Sequence, residues 1–198
     1  MIKTDIIIYG DKGSGKTLMS IVFCEIERKK DNTTQFFTNT DYKYKTGNIL
    51  DYLKKENQNK NYHKILLFDE IDKYIDARGS VSSINKFIVY IMSLSRKTNT
   101  DIIMTSQLLR SIDLKAVKFA NLIIQSNLLQ KPEKENGNIS ILNLDILTQD
   151  NYNTYSKIVK ISPEVLKLYD TNYLLLGEIS EDLKKIMKYY KDNIKIKN

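Results

Sequence analysis

Apolar residues along the chain come in two rhythms. The first run, Asp5 to Tyr9, is uninterrupted and ends in Gly10, as a strand buried on both faces of a parallel sheet requires. From Lys16 the spacing changes. Leu18, Met19, Val22, Phe23 and Ile26 recur at helical intervals, and the run decays into Arg28, Lys29 and Lys30, where a helix carboxyl terminus favours cations. A strand followed directly by a helix is therefore predicted. The strand rhythm returns at 35–38, 64–68, 101–105 and 121–125. A helix is predicted over 82–95, with Ile84, Phe87, Ile88, Ile91, Met92 and Leu94 inward, a shorter amphipathic stretch over 111–120, and a weak helix over 49–56. Strands alternating with helices predict an α/β fold with a central, mainly parallel sheet flanked by helices.

Beyond residue 138 the pattern changes. Residues 139–147 and 155–161 read as strands with no long helix between them, and Asn136-Gly137 is a hairpin turn signal. The expectation is a set of antiparallel strands at one edge of the sheet. Ser162-Pro163-Glu164 reads as a helix start with Pro at the first helical position, and 181–190 as a Lys-rich terminal helix. No repeat or linker is visible, so the 198 residues are expected to form one domain, with 138–198 supplying edge strands and a terminal helix.

Hydrophobic residues at 41% and charged residues at 28% are near the globular average, which excludes disorder and collagen-like repeats. No stretch approaches the ~20 apolar residues of a membrane-spanning helix, and MIKTDIIIYG lacks a basic region followed by a long apolar one. A cytoplasmic protein with no membrane span is expected. The single Cys24 and single His63 can form neither an internal disulfide nor a four-ligand zinc site. Thirty-one Lys and Arg against 24 Asp and Glu give a net charge of +7, which attracts polyanions without naming one.

The strongest chemical signal is Gly10-Asp11-Lys12-Gly13-Ser14-Gly15-Lys16-Thr17, a full phosphate-binding loop pattern set between a predicted strand and a predicted helix. Glycines at 10, 13 and 15 let the backbone turn with its amides inward, forming an anion nest at a helix amino terminus. Lys16 adds a full charge near the β and γ phosphates of a bound nucleotide, and Thr17 offers a hydroxyl to Mg2+. A second signal is the apolar strand ending in Asp69-Glu70. An acid there lies at the carboxyl end of the sheet beside the phosphate loop, so Asp69 is assigned to magnesium. Glu70 is the candidate catalytic base for the water that attacks the γ-phosphate. The bland reading is that both acids cap the next helix. Third, Met104-Thr105-Ser106-Gln107 ends another apolar strand, and Gln107 is read as a sensor of the γ-phosphate.

A phosphate loop, a strand ending in Asp-Glu, and an Arg just before a strand ending in Thr-Ser-Gln resemble the FtsK-HerA group of DNA-pumping ATPases. Within it the chain is similar to viral genome-packaging ATPases and to zonula occludens toxin-like assembly ATPases of filamentous phages. The resemblance covers about 6–125. It implies a recombinase-like sheet, with the sensor strand between the two motif strands, and a homo-oligomeric ring, a pentamer or hexamer. It also implies that Arg96 is an arginine finger reaching the neighbour's γ-phosphate, with Arg78 as the competing finger, and that Arg96 otherwise ends its helix with a favourable charge.

The implied activity is ATP hydrolysis coupled to translocation of DNA, double-stranded and held without regard to sequence, in the host cytoplasm if the protein is viral. Lys73, Arg78 and Lys86 are candidate phosphate contacts. Lys184, Lys185, Lys188 and Lys191 read as a solvated face or an interaction tail, and Tyr189 and Tyr190 as packing residues before base-stacking ones. A capsid, portal or membrane partner is implied, and the missing membrane anchor favours packaging over phage extrusion. A nucleoside or nucleotide kinase and a guanine-selective switch are the other classes. The first would add a cysteine-rich zinc lobe, and the second an Asn-Lys-x-Asp that neither Asn59-Lys60 nor Asn85-Lys86 begins.

Overall fold

Set side by side, the apolar runs form one mixed sheet. The computed structural model describes residues 4–76, 81–130, 139–148, 153–170, 185–186, 188–190 and 192–193. Its strands are β1 (Ile6–Tyr9), β2 (Gln35–Thr38), β3 (Lys64–Phe68), β4 (Thr100–Ser106), β5 (Leu122–Gln130), β6 (Ser140–Thr148) and β7 (Thr154–Ile161). They lie in the order β2-β3-β4-β1-β5-β6-β7. The first five in this order are parallel, and β6 and β7 pair antiparallel. The strand that ends in Thr105 and Ser106 thus lies between the phosphate-loop strand and the Asp69 strand. The helices are α1 (Lys16–Lys30), α2 (Ile49–Tyr52), α3 (Ile71–Asp76), α4 (Val81–Ser95) and α5 (Leu114–Phe119).

The uninterrupted apolar strands have a direct explanation, since each face of the sheet carries its own core. Ile6, Ile8, Ile65, Leu67, Ile103 and Ile124 pack with Leu18, Ile21 and Cys24 of α1. The alternate residues Ile7, Leu66, Phe68, Ile102, Met104 and Ile123 pack with Phe87, Ile88, Ile91 and Met92 of α4 and Ala116 of α5. A strand with helices on both sides has no polar face to alternate with.

Several boundaries differ from the sequence expectation. β5 runs on to Gln130 because it continues past the parallel sheet into the pairing with β6. The Asn136-Gly137 turn, Arg78, Lys184 and Lys191 lie outside the described residues. The stretch 49–56 splits into α2 and a 3-10 turn at Lys55–Gln58. After Ser162, whose side chain accepts a hydrogen bond from the Glu164 amide, Pro163–Leu168 is a 3-10 helix instead of an α-helix. Of the terminal helix, 185–186, 188–190 and 192–193 are helical among the described residues.

The 3-10 segment crosses the outside of α1. Val165, Leu166 and Leu168 pack against the α1-side core, the Lys43 amide donates to Leu168 O at 2.8 Å, and the Asp170 amide to Asp41 O at 3.3 Å. The chain thereby straps the nucleotide-loop helix from the β7 side to the turn that follows β2.

Candidate functional site

The phosphate loop leaves β1 at Gly10 and enters α1 at Lys16. Gly13 and Gly15 take the left-handed conformation, at φ 80° and 84°, which costs a residue with a Cβ but not glycine. Packing adds a second constraint. A Cβ at Gly10 would meet Ser126 O at 2.5 Å, and one at Gly15 would meet Leu142 Cδ2 at 2.7 Å. Ser126 Oγ in β5 donates to Ser14 O at 2.8 Å, so the loop is seated on the β5–β6 hairpin.

Lys16 is buried at 7% exposure, and its ammonium donates to Gly10 O at 2.8 Å and Asp11 O at 2.9 Å. Burial lowers its pKa, and Asp69, Glu70, Asp72 and Asp11 oppose that shift. A cation held by two loop carbonyls and facing several acids is preset to receive a polyphosphate.

The acids stand opposite. Thr17 Oγ1 donates to Asp69 at 3.1 Å to Oδ1 and 3.0 Å to Oδ2, and Thr105 Oγ1 donates to Oδ1 at 2.6 Å. The Asp69 carboxyl is buried, and burial pushes its pKa up despite the two hydroxyl donors. A buried carboxylate touching a hydroxyl is an oxygen pair suited to a hard cation, and Thr17 and Asp69 are the residues that would hold magnesium. The backbone of Asp69 is fixed independently: its amide donates to Asn39 Oδ1 and its carbonyl accepts from Asn39 Nδ2, both at 2.8 Å.

Glu70 follows in the left-handed region at φ 51°, a conformation that for a non-glycine residue must be held by its surroundings. The holder is Thr105, whose Oγ1 accepts the Glu70 amide at 2.8 Å while donating to Asp69. The turn swings Glu70 off the strand axis, where its carboxylate forms an ion pair with Lys73. The Gln107 amide donates to Asp72 Oδ1 at 3.2 Å, tying the end of β4 to α3.

The structure thus gathers Gly10 to Thr17, Asp69, Glu70 and Gln107 at the carboxyl end of the sheet. It does not bring Arg96 there. That side chain is exposed between α4 and the amino end of β4, with its guanidinium 4.6 Å above the Phe119 ring. Asn39 was not picked out in the sequence, and Thr105 was named there only as part of the polar end of its strand, with the site role given to Gln107. The only signal was a polar residue at the end of an apolar strand, which for Asn39 follows the short QFFT run. Tyr169 is also new: burial, and then the Asp69 carboxylate, push its phenol up to about 12.

Residues 6–127 match the family described as ATPase family associated with various cellular activities (AAA). Among curated protein sequences there is no match. The fold is similar to the N-terminal domain of zonular occludens toxin from Neisseria meningitidis, at 17% identity and TM-score 0.57, over 85% of this chain and 100% of that one. It is also similar to the genome packaging NTPase B204 from Sulfolobus turreted icosahedral virus 2 in complex with AMPPCP, at 15% identity and TM-score 0.51, over 80% and 98%. A third likeness is to the KaiC-like protein PH0186 from Pyrococcus horikoshii OT3, at 14% identity and TM-score 0.53, over 81% and 86%. At these identities the likeness is one of fold.

Proposed function

The chain belongs to the AAA family of ATPases, and from that premise we propose that it is a motor that hydrolyses ATP to move DNA, as a viral genome-packaging ATPase of the FtsK-HerA type. The observation that carries the reading is the Thr17–Asp69–Thr105–Glu70 chain of hydrogen bonds facing Lys16 across the phosphate loop. In this reading the loop amides and Lys16 bind the β and γ phosphates, and Thr17 and Asp69 hold magnesium, which neutralises phosphate charge when bound. Glu70 takes the proton of the attacking water, and Gln107 reads the γ-phosphate and passes its state to α3 through Asp72.

The net charge of +7 suits a polyanionic cargo, taken first as duplex DNA, and a capsid or portal partner would receive it. A ring of identical subunits would bring Arg96 of one to the nucleotide of the next. A phage assembly ATPase of the zonula occludens toxin-like type is the second reading, supported by the overlap with the whole of the toxin domain.

The test is Glu70→Gln. It should keep ATP affinity within about threefold while turnover falls by ~10²-fold or more, and wild-type turnover should rise with added duplex. Triplex displacement along that duplex reads movement. Full turnover in the variant rejects Glu70 as the base, and an ATPase indifferent to DNA rejects the motor.

A further inference from the structure

A second basic concavity lies on the other helical layer, away from α1. Asn85, Lys86 and Tyr90 of α4, Asp113 and Lys115 at the start of α5, and Tyr190 line a groove of about 450 Å³. Lys86 and Lys115 are exposed, whereas Tyr90 and Tyr190 are half-buried, with ring centroids 5.6 Å apart and planes tilted at 58°. Phe87 backs Tyr190 edge-on at 5.5 Å, so the rings have a fixed wall behind them. The Asp113 carboxylate is engaged as the cap of α5, accepting the Lys115 amide at 2.7 Å. Asn85 Oδ1 is shut off from solvent with no hydrogen-bond partner, an unmet buried acceptor that rotation of the amide toward the groove would relieve.

We propose that this groove binds an unpaired segment of a DNA strand. Two exposed ammonium groups beside two supported phenol rings are the elements of single-strand recognition: cations track the backbone phosphates, and a base lies on an aromatic face. Once rotated toward the groove, the Asn85 amide would supply a donor and an acceptor for a base edge. The bases of an intact duplex are stacked on each other, so it could offer this groove only its phosphates. The inference rests on the reading of the chain as a DNA motor and narrows its substrate to a strand that is open where it meets α4 and α5.

The experiment is fluorescence anisotropy with a labelled 20-mer of thymidylate, the same length of duplex, and labelled polyglutamate. The proteins are wild type, the Lys86→Ala/Lys115→Ala double variant, Tyr190→Leu and Tyr190→Phe. Circular dichroism melting checks that each variant is folded. The single strand should bind at least about tenfold more tightly than the duplex or polyglutamate. Tyr190→Leu should weaken it by about tenfold and Tyr190→Phe hardly at all, since stacking needs the ring. The double-lysine variant should lower the salt slope by about 1.4, two phosphates at ~0.7 each.

Equal binding of single strand and duplex, unaffected by these substitutions, overturns the groove. If duplex still stimulates ATP hydrolysis in that case, the motor reading stands without it. Tighter binding of polyglutamate makes the groove a peptide site and also overturns the proposal. If no DNA either binds or stimulates hydrolysis, the motor reading falls too.

Discussion

Thr105 is the side chain on which the two acids depend together. Its one hydroxyl donates to Asp69 Oδ1 and accepts the Glu70 amide, so it couples the acid proposed for magnesium to the conformation of the proposed base. Thr105→Val keeps the shape and removes both bonds. The buried Asp69 then loses one of its two hydroxyl donors, and Glu70 loses what holds it at φ 51°. The expected outcome is a fall in kcat of about ten- to a hundredfold with ATP affinity changed by less than about threefold, read by steady-state kinetics and nucleotide titration. A changed affinity with normal kcat would assign Thr105 to ground-state binding instead. Lys73 enters at the same scale, because the Glu70 carboxylate is paired with it. This candidate DNA contact therefore reaches the nucleotide site before it reaches any polymer.

Elements set how firmly that pocket is held, and the decisive one is α1. Its Glu25 is 8% exposed, accepts from Arg28 Nη2 at 2.8 Å and Nε at 3.1 Å, and also accepts the Tyr42 hydroxyl. Arg28 in turn lies 4.1 Å above the Tyr44 ring. Through Tyr42 the helix is fastened to the turn after β2, the same turn that carries Asn39. Burial pushes the Glu25 carboxyl up, but the bonds from Arg28 and Tyr42 outweigh it and hold the pKa below the ordinary value of 4.5. A depressed carboxyl stabilises the fold above the unfolded value and loses that contribution as pH falls through the folded one. Glu25→Gln should thus cost about 1–3 kcal/mol at neutral pH, and the gap from wild type should close well below pH 4.5, measured by urea unfolding. A gap independent of pH would mean that packing, not charge, is lost. None of this network was legible in the sequence, where the apolar spacing of the helix says nothing of Glu25. The parallel strands were legible because burial on both faces leaves an apolar signature. Lys64 shows the limit of that logic: it begins the apolar KILLF run, yet is fully buried with its ammonium on the Asn59, Tyr62 and Thr98 carbonyls. Periodicity reports which positions are apolar and is silent on which polar ones find partners inside.

At the scale of the whole molecule, the geometry decides what one chain can do alone. Arg96 precedes β4 and the phosphate loop follows β1, its parallel neighbour, so the two lie at opposite ends of the sheet. Seven residues of β4 at ~3.3 Å each put more than about 20 Å between them. Arg96 cannot serve its own nucleotide. If it serves another, the contact is head-to-tail, which gives a ring where its rotation closes, and the Phe119 stacking at 4.6 Å is the resting position that assembly must break. Turnover per subunit should then rise with protein concentration, and Arg96→Ala should lower the rate of the assembled, high-concentration protein by about a thousandfold and remove the rise with concentration. Glu70→Gln carries an intact Arg96, and Arg96→Ala carries an intact site. An equimolar mixture therefore pairs a good finger with a good site at about a quarter of its random interfaces, and should turn over far faster than either parent. A mixture that performs only as the sum of its two parents would remove Arg96 from the chemistry, leaving it the guanidinium that closes α4 against α5.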